Sequence, residues 1–250
     1  SHAIRSISHA IRRDIEEAYG FSFDPQRVLV RPLGMRPAEL TSVELTEPDE
    51  PVVLFVGRLE QRKGIDVLLE AIPSVLEQYP RAKFRIVGNK NLPSPTGGTY
   101  ADAFRASTAG RQWNARVDFD GHLSEADLLK AYADCDIFVA PSRFESFGLV
   151  FLEAMRVAKP VIGCSVGGMP EVVAKDECGL LVPPGDAGAL AQALVRLLSD
   201  PALRRRMGQA GLARFEAKFS DKKMAKESIE LYRLAIENHG ARPSEDLLRP

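Results

Sequence analysis

Residues 51–87 read PVVLFVGRLEQRKGIDVLLEAIPSVLEQYPRAKFRIV, and this stretch decides the fold. Two short apolar runs, Val52–Val56 and Lys83–Val87, flank an amphipathic stretch at 64–78. Short apolar runs of this kind are typical of strands buried on both faces, and parallel strands need a crossover connection such as a helix. The stretch therefore predicts a β-α-β unit with its two strands in parallel.

The same alternation continues along the chain. Further strands are predicted at 116–119, 136–140, 160–163 and 180–182, with helices between most of them at 100–111, 125–133 and 149–157. Three more helices are predicted after the last strand, at 187–198, 202–218 and 221–238. This order predicts an α/β fold, a doubly wound parallel sheet with extra C-terminal helices. Ligands of such sheets bind beyond the carboxyl ends of the strands.

Composition narrows the class of protein. The 250 residues are 45% hydrophobic and 27% charged, as in soluble globular proteins, and the net charge of -1 does not favour a nucleic-acid partner. No apolar run approaches the roughly 20 residues that span a bilayer, and no secretory signal opens the chain. Three scattered cysteines without metal-ligand spacing indicate small buried residues in a reducing compartment, hence a cytoplasmic protein. The basic run at 204–206 is interpreted as a solvated helix face.

The loop after the first strand of the β-α-β unit combines a glycine with two cations. The strand ends at Gly57, Arg58 follows at once, and Lys63 stands at the start of the next helix. Gly57 permits close approach of the backbone to a ligand. The guanidinium fork of Arg58 and the compact charge of Lys63 suit a diphosphate. Taken alone, the loop is explained equally well by two surface cations near helix ends.

A second loop carries two carboxylates. The strand at 136–140 ends at Pro141, and a helix is predicted to begin near Phe147 and Gly148, where free N–H groups and the helix dipole favour a phosphate. Glu145 and Glu153 are about 12 Å apart along an ideal helix, too far for an acid and a base that act on one bond. The spacing suits hydroxyl groups at two ends of an extended ligand. The alternatives are a helix N-cap or first-turn carboxylate for Glu145 and a solvated helical residue for Glu153.

Taken together, these residues resemble glycosyltransferase family four, a large family of retaining GT-B enzymes. The matching motifs include Gly-Arg and Lys-Gly within 57–64, Phe-Asp-Gly at 119–121, Pro-Ser at 141–142, Glu-x7-Glu at 145–153, Gly-Gly-Met-Pro-Glu at 167–171 and Gly-Leu-Leu-Val-Pro-Pro at 179–184. They stand in the family's order over about 51–219. The resemblance implies the Rossmann-like C-terminal domain of a GT-B enzyme, which binds a nucleotide-diphosphate sugar for transfer with retention and without a metal or other cofactor.

The resemblance also implies a role for each matching residue. Arg58 and Lys63 neutralise the diphosphate, Glu145 binds hydroxyl groups of the sugar, and these three form the catalytic set. Glu153 binds the ribose hydroxyls, and the nucleobase lies near the loops after Val87 and Gly121. The predicted donor-binding set is Gly57, Arg58, Lys63, His122, Leu123, Glu145, Ser146, Phe147, Gly148, Leu149 and Glu153.

The chain departs from the family's pattern in several places. Ala158 stands where the family usually has glycine, which is expected to crowd that turn slightly. A longer segment at 89–99 replaces a short glycine-rich turn; it is predicted to be mobile and puts the base contacts on that side in doubt. Asp-x-Asp occurs at 118–120 and 134–136, the metal clamp of another glycosyltransferase fold, and a structural role is favoured for both.

The resemblance divides the chain into three parts. Residues 1–50 are expected to be the remnant of an N-terminal acceptor domain and a linker, with a helix capped by Ser8 and ended by Gly20 and a strand at 27–31. Residues 51–219 form the nucleotide-sugar domain, and 220–250 a crossover helix and tail. The acceptor is then expected to be held by a missing N-terminal domain or a partner chain. Membrane association is expected only through that missing half. The chain alone is expected to bind donor weakly and to transfer little or no sugar.

Other functions stay open at this point. A UDP-sugar or a GDP-sugar suits the motifs, and UDP is favoured only because UDP-sugars are the commoner donors. The principal alternative is a non-catalytic nucleotide-sugar-binding module. An epimerase or a phosphorylase of GT-B shape is disfavoured by the Glu-x7-Glu segment, and a dinucleotide dehydrogenase by the lack of Gly-x-Gly-x-x-Gly after the first strand of the large domain.

Overall fold

The structure is a computed structural model that describes residues 3–38 and 50–240. Near its start, strands Ile4–Ser6 (β1) and Val28–Val30 (β2) pair in parallel, connected by helix His9–Tyr19 (α1). Ser8 accepts a backbone N–H at the start of α1, and Gly20 has a left-handed backbone at its end. The predicted cap and stop of this helix are confirmed. The predicted linker lies in part at 39–49, outside the described residues.

The larger sheet has six parallel strands. They are Val52–Val56 (β3), Lys83–Val87 (β4), Val117–Gly121 (β5), Ile137–Val139 (β6), Val161–Cys164 (β7) and Gly179–Val182 (β8). Their spatial order is β5-β4-β3-β6-β7-β8. The prediction of a doubly wound parallel sheet is confirmed. The start of β5 is one residue later than predicted because Gln112–Arg116 forms a 3-10 turn first.

Helices cover the sheet and follow it. They are Ile65–Gln78 (α2), Tyr100–Ser107 (α3), Glu125–Asp134 (α4), Leu149–Met155 (α5), Met169–Val172 (α6), Ala187–Ser199 (α7), Pro201–Lys218 (α8) and Asp221–Gly240 (α9). The predicted helix at 100–111 ends four residues early, where the Thr108 hydroxyl donates to the Phe104 carbonyl at 2.7 Å. No helix within 3–38 and 50–240 combines the length and the apolar character that crossing a membrane requires.

The strand order creates a switch point between β3 and β6. From β3 the chain moves outward through β4 to β5, and it then returns to β6 beside β3 and continues to β8 on the other side. The loops that leave β3 and β6 therefore diverge to opposite halves of the sheet. In open α/β sheets, a crevice at this position is where ligands bind. The loops at 57–64 and 140–148 lie here.

The core lies on both faces of the sheet. Phe55, Phe84 and Phe138 on the strands are fully buried, as is Phe151 on α5. Cysteines share this environment, since Cys135, Cys164 and Cys178 are all buried and free of disulfides. The prediction that the three cysteines are small buried residues is confirmed.

The segment after β2 contacts the bend between α8 and α9. The Met35 N–H donates to the Phe219 carbonyl at 2.9 Å, and the Asp221 N–H donates to the Met35 carbonyl at 2.9 Å. These bonds attach the segment after β2 to the bend between α8 and α9. The break between the last two predicted helices, at 219–220, is therefore also the place where the N-terminal segment is anchored.

The basic run at 204–206 is not uniformly solvated, and the prediction was wrong for Arg204. That side chain is buried, and it donates to the carbonyls of Leu197 and Leu198 at 2.7 and 2.9 Å. These carbonyls belong to the last turn of α7, where no backbone N–H of the same helix is available to donate to them. A guanidinium at this position satisfies them and complements the negative end of the helix dipole.

Candidate functional site

The loops after β3 and β6 are tied together at the switch point by Arg143. Its backbone N–H donates to the Arg62 carbonyl at 2.9 Å, and its guanidinium donates to both carboxylate oxygens of Asp66 at 2.8 and 2.7 Å and to the Gln61 carbonyl. Hydrogen bonding to Asp66 raises the pKa of Arg143, so the guanidinium remains charged. Bidentate pairs of this kind are the most directional ion pairs in proteins. Neither Arg143 nor Asp66 was among the site residues predicted from the sequence.

A second contact between these loops depends on Gly64. Its φ is +72°, and a Cβ atom added there would lie 1.9 Å from the carbonyl oxygen of Pro141. Only glycine combines a left-handed backbone with an approach this close. Together with Arg143, this contact fixes the end of the cation-bearing loop against the start of the carboxylate-bearing loop.

The contacts between the loops after β3 and β6 bring Lys63 and Glu145 together. Lys63 ends the 3-10 turn Gln61–Lys63, and its Nζ donates to Glu145 Oε1. The two side chains are 19% and 12% exposed. A cation and a carboxylate that the sequence separates by 82 positions therefore form one half-buried polar centre. Such a centre can offer a positive charge to an anion and an acceptor to hydroxyl groups.

Arg58 does not share this contact. Its guanidinium lies 3.0 Å from Glu60 Oε1, and Arg62 contacts the same oxygen at 3.0 Å. The Arg58 side chain is 65% exposed, while the next residue, Leu59, is buried and anchors the loop. The two predicted cations therefore differ in solvent exposure: the Lys63 side chain is largely buried, whereas the Arg58 side chain lies mostly in solvent.

The backbone from Glu145 to Phe147 is held by neighbouring elements. The Gly168 N–H donates to the Glu145 carbonyl at 2.8 Å, and the Ser8 hydroxyl donates to the Ser146 carbonyl at 2.9 Å. The Phe147 ring is buried and packs edge-on against Phe219 at 5.9 Å between ring centroids. Loop 167–168, part of the Gly-Gly-Met-Pro-Glu motif, therefore supports the backbone of the site.

Gly148 and Leu149 form the start of α5. Gly148 is the residue before the helix and has φ +92°, and the Leu149 side chain is 43% exposed. The helix begins only at Leu149, so an ideal-helix spacing does not apply to the residues from Glu145 to Gly148. The estimate of about 12 Å between the two carboxylates was therefore built on wrong geometry for half of the segment.

Glu153 lies on α5, one turn beyond the helix start, and is half-buried. Its Oε2 accepts a hydrogen bond of 2.6 Å from the hydroxyl of Tyr132 on α4. Burial raises the pKa of the Tyr132 phenol well above its usual value, and the nearby carboxylate adds to this. Glu153 is thus not a fully solvated helical residue. The sequence contains no local pattern that connects it to Tyr132.

The loops predicted to hold a nucleobase follow β4 and β5. His122, after β5, is exposed, and Leu123 is half-buried against the edge of the core. Backbone hydrogen bonds align the strand ends here: the Gly57 N–H donates to the Val87 carbonyl at 3.0 Å, and the Gly88 N–H to the Gly121 carbonyl at 2.9 Å. The ends of β3, β4 and β5 therefore form one continuous edge leading away from Lys63.

Segment 89–99 has internal hydrogen bonds. Pro93 and Thr99 form an antiparallel bridge, and the Ser94 N–H donates to the Gly98 carbonyl at 2.8 Å. Thr99 and Asp102 then cap α3 reciprocally. The segment therefore has a defined turn after β4, and its mobility stays a prediction.

In the two Asp-x-Asp patterns, Asp118 is exposed and the other aspartates have structural contacts. Asp120 accepts from Arg85 at 2.9 Å, Asp134 from Lys130 at 2.6 Å, and Asp136 from the Val52 backbone at 2.7 Å. Across the part of the chain that the structure describes, no group of three or more His, Cys, Asp or Glu side chains is placed to hold a metal ion. These contacts support the structural interpretation of both patterns.

Similarity to known proteins identifies the family to which this fold and this site belong. Residues 38–214 match the family model described as glycosyl transferases group 1, and the chain belongs to this family. Among curated relatives, it is 34% identical over 256 residues to a D-inositol 3-phosphate glycosyltransferase of Kineococcus radiotolerans, covering 95% of this chain and 58% of the relative. It is 37% identical over 177 residues to a GDP-mannose-dependent monoacylated alpha-(1-6)-phosphatidylinositol monomannoside mannosyltransferase of Corynebacterium glutamicum, covering 68% and 44%.

Solved structures share the fold. Sucrose-phosphate synthase of Thermosynechococcus elongatus superposes with a TM-score of 0.73 at 32% identity, covering 94% of this chain and 58% of that one. HepE of Anabaena, crystallised with UDP-glucose, gives 0.75 at 22% identity, covering 93% and 64%, which is a likeness of fold. The chain spans about half the length of the curated relatives it matches.

Proposed function

We propose that residues 51–219 bind a nucleotide-diphosphate sugar at the switch point between β3 and β6. The observation that carries this proposal is the contact between Lys63 and Glu145, made by two loops that leave neighbouring strands in opposite directions. An anion-binding cation and a hydroxyl-binding carboxylate are thereby presented together where α/β sheets bind ligands. Membership of a glycosyltransferase family supports a sugar donor as that ligand.

In this proposal the donor extends along the edge formed by β3, β4, β5 and the start of α5. Lys63 neutralises the diphosphate, with Arg58 assisting from solvent, while Glu145 accepts from hydroxyl groups of the sugar. Glu153 accepts from the ribose hydroxyls, and the base lies toward His122 and Leu123. The backbone of 146–149 completes the site, with Ser146 and Phe147 held in place by the contacts to α1 and α8–α9.

The chemistry proposed is glycosyl transfer with retention at the anomeric carbon. Cleavage of the sugar–phosphate bond builds negative charge on the departing diphosphate, and a fixed cation stabilises that charge. A charge-assisted hydrogen bond contributes roughly 1.5–3 kcal/mol. Lys63 contributes more than Arg58, because solvent screens a side chain that is 65% exposed more than one that is 19% exposed. No metal or cofactor enters the proposal.

An acceptor requires residues beyond this site. The curated relatives are about twice as long as the matched segment, which supports an N-terminal acceptor domain as the partner of this donor domain. Residues 1–50 would then belong to that domain and the linker, and 220–250 to the crossover. The chain alone is expected to bind donor weakly and to transfer little sugar.

Thermal unfolding with a panel of nucleotides and nucleotide sugars tests the binding proposal. The panel includes UDP-glucose and GDP-mannose, because one structural neighbour was crystallised with UDP-glucose and one relative is described as GDP-mannose-dependent. A ligand at ten times its Kd stabilises the fold by about 1.4 kcal/mol, which corresponds to roughly 3–6 °C for a chain of this size. We expect one nucleotide class to produce this shift. The proposal fails if no nucleoside diphosphate or its sugar does so at millimolar concentration.

Variants locate the effect within the chain. Lys63→Ala and Glu153→Ala are expected to abolish the ligand-induced shift, and Arg58→Ala to reduce it. Glu216→Ala, which removes an exposed carboxylate from α8, is the matched control and should keep the full shift. An equal shift in all four variants would mean that the ligand binds elsewhere.

The alternative of a non-catalytic module predicts the same binding without transfer. The two are separated by fusing the acceptor half of a group 1 relative to this chain and measuring nucleoside diphosphate release with an acceptor present. Release that requires Lys63 supports the transferase. Binding without any release in the fusion supports the module.

A further inference from the structure

We propose that Tyr132 is a positioning residue that orients the Glu153 carboxylate toward the ribose of the donor. The inference rests on the proposed function, because it takes Glu153 to be the ribose-binding group. The juxtaposition that carries it is the 2.6 Å hydrogen bond from the Tyr132 hydroxyl to Glu153 Oε2, which links α4 to α5 across 21 positions of sequence.

The Tyr132 side chain is itself immobilised. It is fully buried, and its ring packs against Phe138 at 5.3 Å between centroids. Phe138 in turn packs edge-on against Phe151 on α5 at 5.8 Å. This row of three rings connects α4, β6 and α5, so the hydroxyl at its end has a fixed position relative to Glu153.

The phenol acts as a hydrogen-bond donor over the whole physiological pH range. Burial holds its pKa well above the usual value for tyrosine, so the hydroxyl keeps its proton. A carboxylate has two oxygens that accept hydrogen bonds. Because Oε2 accepts from Tyr132, rotation of the carboxylate is restrained and Oε1 is left to accept from a ligand. Such outer partners tune a binding carboxylate without contacting the ligand.

The ring of Tyr132 also has an ordinary structural role in the core, so the test must separate the hydroxyl from the ring. Tyr132→Phe keeps the ring and removes only the donor. Ligand pairs provide the second distinction, since a nucleoside diphosphate with an intact ribose can bond to Glu153 and its 2′,3′-dideoxy analogue cannot.

Binding of both diphosphates is measured by calorimetry for the wild-type chain, Tyr132→Phe and Glu153→Ala. We expect Tyr132→Phe to weaken the ribose form by about tenfold and to leave the dideoxy form within about twofold. Glu153→Ala should weaken the ribose form further and likewise spare the dideoxy form. The unfolding temperature of Tyr132→Phe without ligand checks that the core is intact.

The outcomes distinguish the two proposals. If Glu153→Ala has no effect on the ribose form, the ribose role of Glu153 is wrong and the positioning role of Tyr132 falls with it, whereas the proposed donor site itself falls only if neither diphosphate binds the wild-type chain. If Glu153→Ala weakens that form but Tyr132→Phe does not, only the positioning role is wrong. A loss in Tyr132→Phe that is equal for the two ligands identifies a general packing defect and also overturns the positioning role.

Discussion

Replacing Gly64 with alanine tests whether the close approach of two loops assembles the site. At this position a Cβ atom would lie 1.9 Å from the Pro141 carbonyl oxygen, whereas contacts below 3.0 Å are essentially never found. The carbonyl or the turn must therefore move by about 1.1 Å, the difference between these distances. Lys63 precedes Gly64, and Pro141 leads into Glu145, so this movement is transmitted to both members of the polar centre.

The expected destabilisation has two parts. A left-handed backbone costs a non-glycine residue about 1–2 kcal/mol, and overpacking a tight contact adds about 1–3 kcal/mol. Gly185→Ala isolates the first part, because Gly185 has φ +81° and nothing lies within 4 Å of its added Cβ. Both variants gain the same small benefit from a stiffer unfolded chain. Gly64→Ala should therefore be less stable than Gly185→Ala by about 1–3 kcal/mol.

Urea unfolding followed by circular dichroism measures this difference, with unchanged m-values as the check that unfolding remains comparable. Nucleotide binding is measured on the same variants. We expect Gly64→Ala alone to weaken binding, since Gly185 lies in the loop between β8 and α7. Equal stability and equal binding in the two variants would refute the idea that the Gly64–Pro141 approach builds the site.

Three further predictions concern stability and reactivity. Ala158→Gly should raise the free energy of unfolding by about 0.5–1 kcal/mol, and with it the unfolding temperature, because Ala158 after α5 has the left-handed φ of +57°. An unchanged or lower unfolding temperature would contradict this. Arg204→Ala should lower the free energy of unfolding in urea by about 1.5–3 kcal/mol, because two carbonyls at the end of α7 lose their donor. The control Arg206→Ala, at an exposed position, should change it by no more than about 0.5 kcal/mol. Similar losses in the two variants would refute the capping role of Arg204. Burial raises the pKa of all three thiols, to about 12 for Cys135 and about 11 for Cys164, and also raises that of Cys178. A disulfide reagent at pH 8 should therefore modify these cysteines only after unfolding. Rapid labelling of the native chain would contradict their burial.

The sheet was predictable because its strands are buried on both faces and read as short apolar runs. Strands β3 and β4 have the predicted bounds, and the other four differ from theirs by one or two residues at one or both ends. The strand order was not predicted. It depends on which strand the chain returns to after β5, and that choice is made by packing between segments far apart in sequence.

The residues of the candidate site were likewise only partly predictable from the sequence. Gly57, Lys63 and Glu145 were identified because they stand in loops at the ends of predicted strands. Arg143 and Tyr132 were missed, since their partners Asp66 and Glu153 lie 77 and 21 positions away. Spacing along the chain carries no signal for such pairs. Arg204 was misassigned for a related reason, because a basic run looks solvated until the neighbouring helix end is in place.

The central claim is that a nucleotide-diphosphate sugar binds at the switch point between β3 and β6. Hydrogen–deuterium exchange with the stabilising nucleotide sugar tests it directly, since bound backbone amides exchange more slowly. We predict protection in peptides that cover 57–64 and 144–153, lost in Lys63→Ala, with unchanged exchange across 187–218. Protection confined to 187–218, or none in the two loops at a saturating concentration, would contradict the account.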